Sequence, residues 1–417
     1  APASKETARV LASSVVMDAK PSSMVTSAQE RDFPAIPHVP VVDFSRQYQQ
    51  IRPEILAAIE QVCASQRFIL GEEVRQFEAQ VAAACHVSHA IGCASGTDAL
   101  WLAMAAAGIG PGDRVLTTPF SFFATVSSIL RGGAQPVLVD IDPRTYNLDP
   151  GSTKKSLQAG QNTPIRAILA VHLYGQCADW DAFEAFRQEH GCLLIEDAAQ
   201  AFGATWHGRP IGSLGDLAAF SFYPTKNLSA YGDAGMVTTG ADSMAERVRM
   251  LRVHGMRRRY YHDEVGWNSR LDTMQAAVLL VKLRYIERWN QQRRDRAAHY
   301  NRIFRQSGLT ESGPYPKHGV VLPFIDPRGT HVFHQYVVRV PRRDALKTFL
   351  AERGIGSEIY YPVPLHLQKC LQNLGYKPGD FPESERAAQE VLALPMFPEL
   401  TGEEQERVVA AIAEYLS

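Results

Sequence analysis

The chain has almost no net charge. Its 43 lysines and arginines stand against 44 aspartates and glutamates, a formal balance of −1 at pH 7. A protein that gripped nucleic acid or an anionic membrane through its overall charge would carry a basic excess, so neither partner is expected. It also lacks any run approaching the ~20 apolar residues that a membrane-spanning helix requires. Cysteine is scarce. Cys63, Cys85, Cys93, Cys177, Cys192 and Cys370 are scattered, with no CxxC pair and no zinc-ligand spacing. They read as free thiols of a reducing cytoplasm, and no metal site is expected. Internal repeats are absent, and no low-complexity tract follows the first residues.

What is present is a globular composition, 45% hydrophobic over 417 residues, enough for more than one core. Residues 1–35 mix Ser, Ala, Thr and charge without a sustained apolar stretch. Val10–Met17 is too short and too polar for the apolar part of a secretory signal. This segment is expected to be a flexible N-terminal extension. Residues 36–290 are expected to form a large domain, and residues 291–417 a smaller C-terminal one.

Ile51 to Ser65 and Glu72 to Ala84 place apolar residues at helical spacing. Short apolar runs then alternate with helical stretches. Ala90–Cys93, Arg114–Thr117, Pro136–Ile141, Ile165–Tyr174, Cys192–Glu196, Leu217–Phe222 and Gly235–Thr239 read as strands. Asp98–Ala107, Ala124–Arg131 and Ala178–His190 read as helices. The alternation predicts an α/β fold, a mostly parallel sheet with helices on both faces. In such sheets a ligand sits at the C-terminal ends of the strands. Ser269 to about Phe304 reads as one long helix leading to a smaller α+β domain. That domain has a strand over Val332–Val340 and helices over Arg343–Arg353 and Gly402–Ser417.

The most informative stretch is Ser221-Phe222-Tyr223-Pro224-Thr225-Lys226-Asn227-Leu228, followed by Gly232-Asp233-Ala234-Gly235. An apolar strand stops abruptly and presents a lysine in a turn. Leu193-Leu194-Ile195-Glu196-Asp197 delivers a carboxylate at the end of another strand. A buried carboxylate needs a cationic partner. A lysine able to form a Schiff base and a carboxylate able to pair with a pyridinium nitrogen are what a pyridoxal 5'-phosphate (PLP) enzyme requires. Asp197 would also cap a following helix. Glu196 competes for its role, but strand alternation sends it to the opposite face. Ser95-Gly96-Thr97 opens a helix straight after a strand, a place where backbone N–H groups and the helix dipole hold phosphate. Ser221 can add a hydroxyl. Phe122, just past a strand, can stack on a cofactor ring.

Together these segments resemble the DegT/DnrJ/EryC1/StrS sugar aminotransferases, within the fold-type I PLP-dependent transferases. The resemblance runs from about Val41 to the C-terminus. Its most specific parts are Ala94-Ser95-Gly96-Thr97-Asp98-Ala99-Leu100, Val139-Asp140-Ile141, Ile195-Glu196-Asp197-Ala198-Ala199-Gln200, Ser221 to Asn227 and Asn268-Ser269-Arg270-Leu271-Asp272. It implies that Lys226 holds PLP and then moves the proton, while Asp197 pairs with the pyridine nitrogen. Gln200 would bond the phenolic oxygen, Phe122 would stack on the ring, and Gly96, Thr97 and Ser221 would hold the phosphate. Asn268 would reach the phosphate site of a neighbouring subunit, which implies a homodimer with the active site at the interface. Arg270 and Tyr361 are assigned to substrate. The implied reaction moves an amino group from L-glutamate to a nucleotide-linked keto sugar, by a ping-pong cycle. His172 to Asp179 and Asn268 to Asp272 look like the branch that aminates C3 of UDP- or dTDP-linked 3-oxo sugars. Tyr360 stands where uronic-acid members often have His. Arg258 and Arg259 could meet a carboxylate or diphosphate, or form a solvated basic run. Relatives that replace the lysine with histidine dehydrate their sugars, and Lys226 points away from them. A PLP lyase and a non-catalytic sensor on the same fold are the rival expectations.

Overall fold

The computed structural model of this chain describes residues 38–158 and 164–417. The expected N-terminal extension, residues 1–35, lies outside them.

A seven-stranded sheet organises the fold. Its first strands are β1 (His89–Cys93), β2 (Arg114–Thr117), β3 (Gln135–Leu138), β4 (Ile165–Val171) and β5 (Leu193–Asp197). A two-residue hairpin, β6 (Thr205–Trp206) and β7 (Arg209–Pro210), stands outside the sheet, which β8 (Leu217–Ser221) and β9 (Gly235–Thr239) complete. The order is β1-β9-β8-β5-β4-β2-β3. Strand β9 runs antiparallel to both its neighbours, and the other pairs are parallel. The reason is local. A parallel return needs a crossover, usually a helix; the link from Ser221 to Gly235 has none and turns straight back.

Residues alternate along each strand between two cores. Ala167, Leu169, Ile195, Leu217 and Ala219 join one, beneath α3 (Gly96–Ala106), α4 (Ala124–Arg131) and α7 (Asp242–Leu251). Ile168, Ala170, Leu194, Ala218 and Phe220 join the other. There they meet α1 (Phe44–Ser65), α2 (Glu72–Ala84), α5 (Pro150–Gln158), α6 (Trp180–His190) and α8 (Thr273–Leu283). A sheet buried on both faces reads as continuous apolar runs, and the strands do.

Several elements differ from the expectation. Strand β4 stops at Val171, because Tyr174 and Gly175 adopt φ of 59° and 101° in a single 3₁₀ turn. A Cβ at Gly175 would sit 2.8 Å from the Val332 side chain, so glycine is needed there. The long helix is two, α8 and α9 (Ile286–Gln306). At the corner between them Arg284 and the Tyr285 hydroxyl both bond Glu54 of α1, and the Tyr285 ring stacks on Trp289. The strand expected over Val332–Val340 is confined to Tyr336–Arg339, because Phe333 takes φ of 43° and its N–H turns back to His331 Nδ1. That strand pairs antiparallel with Val391–Leu394, in a separate core built with Tyr300, Leu346 and Val408. Helix α1 also begins at Phe44, earlier than expected, because Asp43 Oδ1 accepts the Ser45 N–H at 2.8 Å.

Candidate active site

Asp197 and Glu196 show what alternation does with two adjacent carboxylates. Glu196 is fully buried on the far face. Its oxygens accept the N–H groups of Gly212, Leu214 and Gly215, each at 2.9 Å. His172 Nδ1 accepts the Ala178 N–H, so the ring proton is on Nε2, which donates to Glu196 at 3.1 Å. This carboxylate is structural. Asp197, 4% exposed, faces the cavity instead. Its Oδ2 accepts from Thr125 Oγ1 at 2.8 Å, and Thr125 in turn accepts from Ser121. Its Oδ1 accepts the Ala199 N–H at 3.3 Å. Burial raises its pKa; among the described residues Thr125 and Ala199 are its hydrogen-bond donors, and they, with Lys226 and His172 acting through space, offset only part of the loss of water. A cationic donor in direct contact with the carboxylate would complete it.

Lys226 arrives from the neighbouring strand. After β8 the chain makes a turn closed by the Lys226 N–H on the Tyr223 carbonyl at 2.8 Å. The amine projects into the same cavity as Asp197. Desolvation lowers its pKa to about 8, and the Asp197 charge pulls it partly back.

The start of α3 lies against the end of β8. A Cβ at Gly96 would meet Ser221 Cβ at 2.5 Å, so only glycine allows this approach. Ser95 caps the helix by accepting the Asp98 N–H at 3.1 Å. The Gly96 and Thr97 N–H groups belong to the first turn, which has no partners within the helix. Gln200 is fixed at both ends: Oε1 accepts the Tyr174 N–H at 2.7 Å, and Nε2 donates to the Tyr361 hydroxyl at 3.1 Å. Phe122 is 57% exposed, with its ring 6.2 Å from that of Tyr361.

Gly96, Thr97, Phe122, Asp197, Gln200, Ser221, Lys226 and Tyr361 therefore line one cavity of about 590 Å³. Asn268 and Arg270 do not line it. Asn268 is exposed and bridges to Val253. Ser269, between them, is buried and donates to Asp98 on the first turn of α3. Arg258 and Arg259 lie over Tyr261 and Tyr260, around an exposed hairpin of Met256–Arg258 and Tyr261–His262. Sequence reasoning missed Thr125 and His334, which also line the cavity. Both lie far along the chain from Asp197 and Lys226, and neither sits in a local motif.

The profile of the DegT/DnrJ/EryC1/StrS aminotransferase family matches residues 49–413. The chain belongs to this family.

Among DegT/DnrJ/EryC1/StrS proteins it is similar to a "pleiotropic regulatory protein" of Geobacillus stearothermophilus. The two are 50% identical over 91% of this chain and 98% of that one. It is 42% identical to a dTDP-3-amino-3,4,6-trideoxy-alpha-D-glucose transaminase of Streptomyces venezuelae, over 91% of this chain and 96% of that one. The solved structure of S. venezuelae DesV with a ketimine intermediate aligns with a TM-score of 0.85 at 42% identity, covering 91% of this chain and 99% of that one. The family is PLP-dependent. The cavity fits that cofactor. Among the described residues no cation pairs directly with Asp197, which feels Lys226 only through space; the Gly96–Ser221 cradle leaves no room for a Cβ, and the desolvated Lys226 amine shares the cavity with both.

Proposed function

We propose that this protein is a PLP-dependent aminotransferase that passes an amino group from L-glutamate to a dTDP- or UDP-linked 3-keto sugar. The observation that carries the reading is the convergence of Lys226 and Asp197 from adjacent strands on one cavity, beside the α3 N-terminus. Bound PLP supplies an electron sink that weakens bonds to the carbon carrying the amine. Gly96, Thr97 and Ser221 would hold its phosphate, and Phe122 would cover one ring face. Asp197 would hold the proton on the pyridine nitrogen, kept in place by Thr125. Gln200 would donate its remaining Nε2 hydrogen to the phenolic oxygen. Lys226 Nζ, once free and neutral, takes the proton leaving the donor's α-carbon and returns it during transfer. Tyr361 shields the far side of the cavity from water.

In this reading residues 36–290 carry the cofactor and residues 291–417 bring Tyr361 over it. Exposed Asn268 and half-buried Arg270 reach a partner's cavity, so the working unit is a homodimer, and the chain works in the cytoplasm. Among the described residues no helix is long and apolar enough to cross a membrane.

The test is an absorption spectrum of the PLP-loaded protein before and after L-glutamate. Loss of the visible band with stoichiometric 2-oxoglutarate is expected, and Lys226→Ala should abolish both. The regulatory name of the relative at 50% identity favours a second reading, a cofactor-bound sensor. A visible band indifferent to every amino acid would favour it.

A further inference from the structure

The turn that carries Lys226 is held from behind by a buried polar chain that the reaction described above does not use. Asn227 is buried, and its Nδ2 donates to Asn290 Oδ1 at 2.8 Å and to the Val332 carbonyl at 3.0 Å. Asn290, on α9, donates from Nδ2 to the Phe202 carbonyl at 3.1 Å. A Cβ at Gly203 would lie 2.5 Å from that Nδ2. Each amide therefore has one orientation that satisfies it. Asn227 Oδ1 then faces His334 Nδ1 at 3.2 Å, so Nδ1 carries the ring proton. One turn along α9, Arg293 donates to the carbonyls of Phe333, His334 and Met396 and fixes the backbone on both sides.

His334 is buried and lines the Lys226 cavity. With Nδ1 committed to Asn227, the ring nitrogen left for the cavity is Nε2, a pure acceptor. Desolvation, with the nearby charges of Lys226 and Arg293, holds the imidazole's pKa well below its ordinary value. The ring stays neutral across the working range.

We propose that His334 is a positioning residue for Lys226: through Asn227 it fixes the turn that presents the lysine, and its Nε2 offers the freed amine an acceptor between half-reactions. The inference rests on Lys226 being the catalytic lysine. An amine brings only donors when charged and needs acceptors to hold it. The opposite tautomer would aim an N–H at it and leave Asn227 Oδ1 without a partner.

The test uses the PLP-loaded protein and three variants. His334→Phe keeps the ring's bulk and removes both nitrogens. His334→Gln keeps an N–H able to reach Asn227. Asn227→Ser removes the link. The readouts are the pH midpoint of the visible band, the single-turnover rate of its loss with L-glutamate, and the apparent affinity for glutamate. His334→Phe and Asn227→Ser are expected to shift the midpoint and slow the single turnover about tenfold, the effect of one lost hydrogen bond. Glutamate affinity should change little, and the double variant should be no slower than either single one. His334→Gln should recover most of the rate. A wild-type midpoint and rate in His334→Phe would overturn the proposal, as would additive losses in the double variant. Should His334→Phe fail to fold, a wild-type midpoint in Asn227→Ser overturns it equally. A wild-type protein with no visible band overturns the reading beneath it, a result separable from the others.

Discussion

Single side chains set the chemistry of this cavity by their surroundings more than by their type. Burial lowers the Lys226 pKa to about 8, so the free amine gives up its proton much closer to neutral pH than an ordinary lysine does. Deprotonation proceeds as pH rises through that value. In the proposed reaction the free lysine accepts a proton during the second half-reaction, which is therefore expected to quicken from pH 7 to 9 and then level off. Single-turnover amination of a keto sugar against pH checks this; a flat profile would show that the amine does not limit the step. Thr125 acts on Asp197 in the opposite sense, since its hydroxyl favours the charged carboxylate that burial disfavours. Thr125→Val removes that donor at almost unchanged volume. Hydrogen bonds to charged groups contribute ~1.5–3 kcal/mol, so PLP affinity should fall roughly 10- to 100-fold. Equilibrium titration of the apoprotein with PLP measures it. Lys226 and Asp197 were legible in the sequence because each ends an apolar run; Thr125 was not, because its partner lies 72 residues away.

Elements place these groups by close approach. The β8 end and the α3 start touch only because position 96 lacks a Cβ. Gly96→Ala should push them apart, lowering PLP affinity and thermal stability together; an unchanged melting temperature with unchanged affinity would refute the contact. Strand β5 is tied to the loop over residues 212–215 by Glu196, whose oxygens accept three backbone N–H groups and the His172 ring. In Glu196→Gln two of these donors meet an amide donor instead, Leu214 and Gly215 or Gly212 and His172 according to which way the amide turns. The loss should be ~1–3 kcal/mol or more, readable in chemical denaturation, because buried donors are left unpaired. Element types were legible wherever a period was clean: α2, α4, β2 and β9 fall where the spacing puts them. Boundaries failed where tertiary contacts cut a continuous apolar pattern, as Glu54 does at the α8–α9 corner and Val332 does at Gly175.

At the scale of the whole molecule, the cavity is closed by pieces distant in sequence: Gly96 and Thr97, Asp197, Lys226, His334 and Tyr361. Asn268 and Arg270 stay outside it, which motivates the proposed homodimer. Mixing inactive Lys226→Ala subunits with inactive Asn268→Ala subunits should restore activity. Each mixed dimer would hold one site with both native residues. No recovery after subunit exchange would remove Asn268 from the partner's site. The sequence by itself determined the α/β class, the direction of most strands, and the Lys226, Asp197 and Gly96 positions, because period, strand ends and an obligatory glycine are local properties. The tertiary structure alone decided that Asp197 leans on Thr125 and that His334 carries its proton on Nδ1. It also decided that the long helix breaks at Tyr285. Each of these depends on a hydrogen bond between residues far apart in the chain, and no local pattern encodes which distant groups will meet.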